Sequence, residues 1–128
     1  MFNWRRPTNL GVTDGRLAPC KRSPNCVSSQ ADPGDREHYI APIAFRGSMA
    51  DLRRAVESME RARVIRTERD YLYAEYRTRL LRYVDDVELY VDERQGVVHV
   101  RSASRLGRRD FGVNRKRVEA LRRLIAAL

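Results

Sequence analysis

Long apolar runs are the first thing this sequence lacks. No stretch approaches the roughly 18 to 20 residues that a membrane-crossing helix needs, and mean hydropathy is negative, so a soluble chain without a membrane span is expected. Lysine is scarce as well. Lys21 and Lys116 are the only two among 26 basic side chains, and the 24 arginines read as the codon bias of a GC-rich genome more than as selection for guanidinium chemistry. Two cysteines, in C-K-R-S-P-N-C, are too few for a structural zinc site unless His38 and a further ligand join them. They also lack the C-x-x-C spacing of a thioredoxin-like motif. The glycines match neither the Walker pattern nor the dinucleotide fingerprint. No nucleotide, cofactor or metal is therefore implied.

What is present suffices for one core. The chain has 128 residues, 42% of them hydrophobic. Net charge is +9, carried at the ends: +4 over residues 1 to 22, −2 over 23 to 99 and +7 over 101 to 128. Such a balance attracts nucleic acid, anionic lipid or a phosphorylated ligand, but solvated surface charge outranks a nucleic-acid footprint here. The start, Met1 to Pro7, has two arginines with no apolar segment behind them and forms neither a secretory nor a twin-arginine signal. A cytoplasmic location is expected, with export or membrane association as the alternative.

Residues 1–37 are rich in Pro, Gly, Asp, Ser and Arg without periodicity, and read as an irregular arm carrying the cysteine loop. Residues 38–128 read as a single α+β domain. His38 to Ile43 is a short apolar run that Pro42 confines to a sheet edge. Ser48 and Asp51 form a capping box ahead of Leu52, Ala55, Val56 and Met59, which predicts an amphipathic helix over 49–61. Strands are predicted at 63–68, 71–79, 84–92 and 97–103. Closing the last two as a hairpin sets Asp92 opposite Val97, Leu89 opposite Val100 and Glu88 opposite Arg101. Val87, Leu89, Val91, Val98 and Val100 then face the core, and Asp86, Glu88, Tyr90, His99 and Arg101 face away. A last helix over 114–127, capped by Asp110 or Asn114, is expected to bury Val118, Leu121, Leu124, Ile125 and Leu128. The expected fold is a small antiparallel sheet of about four strands, a meander ending in a hairpin, covered on one face by two helices.

Chemistry points first to the stretch between the last strand and the last helix. Gly107 and Gly112 permit close backbone approach, Arg101, Arg105, Arg108, Arg109 and Arg115 supply charge, Ser102, Ser104 and Asn114 supply polar groups, and a helix N-terminus follows. These are the candidate anion-binding residues. The competing reading pairs the arginines with Asp85, Asp86, Glu88 and Asp110 in a structural ion network, which the Glu88 to Arg101 register favours. Opposed arginines also argue against a metal at the three acidic strand residues. Cys20 and Cys26 are either a disulfide, which suits an exported protein, or reduced thiols. Tyr71, Tyr73 and Tyr90 lie on the strand face away from the helices, half buried in the ordinary case and a ligand platform in the other.

Three blocks resemble a known family: L-A-P-C-K-R-S-P-N-C-V-S-S-Q from Leu17, D-Y-L-Y-A-E-Y-R with V-D-D-V-E-L from Val84, and R-S-A-S-R-L-G-R-R-D-F-G-V-N-R-K-R from Arg101. Together they look like the bacterial and plant domain-of-unknown-function family 1499, over residues 10 to 127. The resemblance implies no activity. It marks as motif positions Cys20, Ser23, Pro24, Asn25, Cys26, Ser28 and Ser29, then Asp85, Asp86 and Glu88, then Arg101, Ser102, Ser104, Arg105, Gly107, Asp110, Gly112, Asn114 and Arg115. Lys21 departs from it, since the family usually has proline after the first cysteine. It also implies that many members carry an added N-terminal anchoring or export segment. The expected function is a non-enzymatic binding module for a small anionic ligand or protein partner. A thiol-dependent enzyme built on Cys20 and Cys26 beside the Asp/Arg cluster is the first alternative, and weak nonspecific nucleic-acid binding the second.

Overall fold

A computed structural model of the chain describes residues 5–128, so the first four residues of the arm, and with them most of the Met1 to Pro7 start, lie outside the described residues. The elements run β1 (Cys26–Ser28), β2 (Ile43–Ala44), α1 (Met49–Glu57), β3 (Ala62–Thr67), β4 (Tyr71–Arg77), β5 (Val84–Asp92), β6 (Val97–Ser104) and α2 (Val113–Ala126). The sheet has six strands, ordered β1-β6-β5-β4-β3, with β2 also paired to β6. The expected four are β3 to β6. Of the two extra strands, β2 starts at Ile43, the last residue of the run expected at a sheet edge, and β1, three residues long and too short for alternation to show in sequence, lies within the stretch expected to be irregular.

The hairpin register is as expected, with Glu88 opposite Arg101, Leu89 opposite Val100 and Asp92 opposite Val97. It separates the two faces of the sheet. On one, Leu72, Ala74, Tyr76, Val87, Leu89, Val98 and Val100 pack with Leu52, Ala55 and Val56 of α1 and with Val118, Leu121 and Ile125 of α2. Burial of this apolar surface is the main stabilising term. The Ser48 hydroxyl accepts from the Asp51 N–H while Asp51 reaches back to the Ser48 N–H, closing the capping box that starts α1. The helix stops at Glu57, four residues short of the expected end, where the Ser58 hydroxyl donates to the Ala55 carbonyl and Arg61 takes a φ of +59°.

Helix α2 buries three of the five residues expected. Leu124 and Leu128 are exposed: Leu128 lies beyond the last turn, and Leu124 sits on the solvent edge of a stripe already filled by Leu121 and Ile125. On the other sheet face the arm lies across the strands, with Leu10, Val12 and Leu17 against Tyr71, Tyr73 and Tyr90. That face is covered, and Tyr71 and Tyr73 are fully buried rather than half exposed.

Candidate functional site

The face under the arm carries charge beside its aromatic rings. The ladder sets Tyr73 beside Glu88 and Arg101, and Glu75 beside Asp86 and Ala103. Glu88 is 0% exposed and Arg101 5%. One Glu88 oxygen, Oε2, accepts from the Tyr71 hydroxyl at 2.6 Å and from the Gly11 N–H at 2.7 Å. Gly11 has a φ of +102°, a conformation that lets the arm backbone reach the carboxylate. Arg101 donates to the Pro19 carbonyl at 3.3 Å and stands 3.9 Å from Glu88 Oε1, at the outer limit of an ion pair. Among the described residues, Glu88 Oε1 and Arg101 Nε are the buried side-chain polar atoms without a hydrogen-bond partner. Burial pulls the Arg101 guanidinium below its ordinary pKa, and the nearby Glu88, Asp86 and Tyr71 only partly offset it.

Arg105 anchors the neighbouring cluster. Its Nε and Nη2 hold the two Asp86 oxygens at 2.8 Å each, and Nη2 also donates to Glu75 at 2.7 Å and to the Tyr73 hydroxyl at 3.2 Å. Asp86 above all, then Tyr73 and Glu75, raises the Arg105 pKa against the opposing effect of burial. Burial pushes the Glu75 carboxyl up, but donors from Arg6, Tyr73 and Arg105 outweigh it and leave it below its usual range. Arg6 thereby ties the start of the arm to β4 at 2.7 Å.

A second polar network sits where β5 and β6 meet α2. Arg117 donates to Asp85 at 2.7 Å and to Asn114 at 2.8 Å, and stacks over the Tyr76 ring at 4.8 Å. Burial nevertheless leaves the Asp85 carboxyl above its ordinary pKa, with Arg117 and Ser104 working against it. Asn114 accepts from the Ser102 hydroxyl at 2.6 Å and donates to Asp110, Ser104 and the Asn25 carbonyl. Asn25 in turn donates to the Leu106 and Gly107 carbonyls and accepts from the Ser104 N–H. The cysteine loop thus folds back onto the arginine and glycine stretch.

The candidate residues of that stretch go to different places. Arg101 and Arg105 turn inward, to Glu88 and to Asp86, and Ser102, Ser104 and Asn114 join the second network. Arg115 donates to the Arg36 and Glu37 carbonyls. Arg108 and Arg109 are exposed and take no partner among the described residues, and Gly107 has open space around it. At the start of α2, Asp110 already accepts from the Gly112 and Asn114 N–H groups, so the chain's own carboxylate occupies the positive helix end. Cys20 and Cys26 form a disulfide, with Cα atoms 5.7 Å apart. His99 meets Ser29 at 3.0 Å and His38 meets Asp35 at 2.7 Å, and with both sulfurs in the disulfide neither ring has a thiol to activate.

Of ten buried polar or charged residues, nine lie at positions the family resemblance marks, His38 being the exception. The motifs therefore spell out the buried polar scaffold. Sequence reasoning missed Gly11, Tyr71, Arg6 and Arg117 as members of it. Only the alternation of Leu10 and Val12 hinted that the arm packs on the sheet.

The arm, the cysteine loop and β6 together line a solvent-open cavity of about 370 Å³, formed by Arg5 to Asn9, Lys21, Asp86, Arg101, Ala103, Ser104 and Arg105. Its volume falls at the lower end of the roughly 300 to 1,000 Å³ typical of small-molecule sites.

Fold and site define an α+β domain whose sheet is apolar on one face and buried but ionic on the other. The family model described as "Protein of unknown function (DUF1499)" matches residues 16–125, and the chain belongs to that family. No curated protein and no solved structure matches it.

Proposed function

We propose that the protein is a non-enzymatic binding module that takes a small anionic ligand in the cavity under the arm. The observation carrying this reading is Arg101 Nε, a buried cationic donor without a partner on a residue that lines the cavity. A buried guanidinium whose carboxylate stands 3.9 Å away is undercompensated, and an anion at Nε would both complete its hydrogen bonds and restore its pKa. Lys21, from the cysteine loop, adds a cation to the same lining. Arg105 contributes shape more than charge, because Asp86 and Glu75 already neutralise it.

Compared with the loop around Gly107, Arg108 and Arg109, the cavity offers a concave lining and a desolvated donor. A thiol-dependent reaction is disfavoured because no free cysteine exists among the described residues. The disulfide also supports an oxidising compartment as the place where the domain works. No helix among the described residues is long and apolar enough to cross a membrane.

The test is thermal unfolding in phosphate or sulfate against chloride at equal ionic strength. An anion at about ten times its Kd adds ~1.4 kcal/mol, or roughly 5 °C for a chain of this size. Lys21→Ala, at an exposed position, should cut the shift without lowering the Tm in chloride. Equal Tm in all three salts rejects the reading.

A further inference from the structure

We propose that one end of the sheet is a docking surface for an anionic lipid bilayer. Two loops meet at that end. The β4–β5 turn leaves at Arg77, which pairs with Val84, and the β6–α2 loop starts at Arg105, whose N–H donates to the Val84 carbonyl. The first loop exposes Leu80 and Leu81, at 87% and 61%, and the second exposes Phe111 at 88%. These are the three most solvent-exposed large hydrophobic side chains of the described residues apart from the C-terminal Leu128. Phe111 also holds a φ of +53°, a region that a bulky residue rarely occupies and that here turns the ring outward.

The charges around these tips complement an anionic surface. Arg79, Arg82, Arg108 and Arg109 flank the three apolar side chains, are exposed, and take no ion-pair partner among the described residues. Of the nearby acids, Glu60 pairs with Arg61, Asp110 accepts from the N–H groups that start α2, and Glu37, beside Arg109 and Phe111, stands 3.7 Å from His38 Nε2, so the four arginines outnumber them. At the opposite end, the β3–β4 and β5–β6 connections and their flanks set Glu68, Asp70, Asp92 and Glu93 against Arg46, Arg66, Arg69 and Arg94. The charges there balance, so the unpaired positive charge and the apolar tips coincide at the first end.

Apolar tips ringed by arginines fit the bilayer boundary, where leucine and phenylalanine enter the acyl region and guanidinium groups stay among phosphates. Nucleic acid would use the arginines but gain nothing from two adjacent leucines on a turn. A protein groove would need a concave partner shape, whereas a bilayer accepts two separate tips. This surface is distinct from the cavity under the arm and does not depend on it.

Vesicle co-sedimentation of the full chain tests the proposal. With phosphatidylcholine vesicles containing about one third phosphatidylglycerol, partitioning should exceed that on pure phosphatidylcholine by at least about tenfold and fall steeply as salt is raised. Leu80→Ser/Leu81→Ser/Phe111→Ser should reduce binding about tenfold or more with an unchanged Tm. Arg79→Gln/Arg82→Gln/Arg108→Gln/Arg109→Gln should do the same and gives an independent reading if the serine variant loses stability. Lys21→Ala should bind vesicles like the wild type, which separates this surface from the anion cavity. Equal binding to neutral and anionic vesicles, no binding to either, or binding of single-stranded DNA that the serine variant retains while vesicles are ignored, overturns the proposal.

Discussion

Arg105→Met removes the centre of a buried ion cluster and is the sharpest probe of what holds the sheet's ionic face. The Arg105 side chain is 4% exposed and makes two 2.8 Å hydrogen bonds to Asp86, whose side chain is 3% exposed. Removing one member of a buried, hydrogen-bonded pair costs about 3 to 5 kcal/mol, because the other charge stays in low dielectric without its partner. At roughly 3 to 5 °C per kcal/mol for a chain of this length, the Tm should fall by about 10 to 20 °C. Methionine keeps most of the stem volume, so cavity formation contributes little. Chemical denaturation of the single variants and of Arg105→Met/Asp86→Asn completes a double-mutant cycle. The neutral amide that replaces Asp86 would still accept from the Tyr73 hydroxyl, and the double variant should recover at least about 1.5 kcal/mol relative to the sum of the singles. A loss under about 1 kcal/mol for Arg105→Met would mean that the pair behaves like an exposed one. The ionic face would then be no structural core, and the reasoning built on its burial would fail.

Four more outcomes follow from the same geometry. Cys20→Ser/Cys26→Ser should lose about 2 kcal/mol by the loop-entropy relation for so short a closure, measured by urea denaturation of the variant against the oxidised parent. Burial lowers the His38 pKa, but Asp35, the Ser23 carbonyl and Glu37 outweigh it, so its stabilisation is complete below the unfolded value near 6.5 and is lost as pH rises through the higher folded value. Burial lowers the His99 pKa, so its contribution runs oppositely, present above the unfolded value and lost as pH falls through the lower folded one; His38→Gln should make stability rise from about pH 5.5 to 8 and His99→Gln should make it decline. Asn114→Ala leaves the Ser102 hydroxyl, Arg117 and the Asn25 carbonyl each short of a partner at a buried site, and a loss of about 2 to 4 kcal/mol is expected by denaturation. Gly96→Ala should cost more than about 1 kcal/mol, since φ there is +68° and a Cβ would lie 2.6 Å from the Arg46 guanidinium; a neutral effect would show that Arg46 moves aside without loss.

The hairpin was legible because the Glu93 to Gly96 turn and the alternation of Val87, Leu89 and Val91 fix a register, and a register fixes partners. Glu88 opposite Arg101 followed from it directly. Arg105 did not, because it lies one residue beyond β6 and reaches Asp86 by side-chain length rather than by cross-strand pairing. The arm was illegible for a different reason. A cover segment that supplies backbone groups, such as the Gly11 N–H and the Pro19 carbonyl, leaves little side-chain pattern beyond Leu10 and Val12. With the cover unseen, the tyrosine face read as open. Charged and phenolic side chains gathered on one sheet face look like a binding surface until something is known to bury them.

That cover changes what the buried charges imply. The arm adds partners to groups of the ionic face: Gly11 to Glu88, which Tyr71 also serves, Pro19 to Arg101, and Arg6 to Glu75, which Arg105 and Tyr73 also hold. The apolar contribution of the arm is small, resting on Leu10, Val12 and Leu17. Lifting the arm would lose these contacts but hydrate Glu88 and Arg101, so the net cost of opening is less than the contacts alone suggest. The Cys20–Cys26 disulfide limits the movement by tying the end of the arm to β1. Residues 5 to 19 are then held by less than their contacts alone suggest, as expected of a segment with few buried apolar contacts. Because Arg5 to Asn9 form one wall of the cavity, the anion proposed above would enter beside this segment, and its binding would replace the solvation that Arg101 loses under the arm.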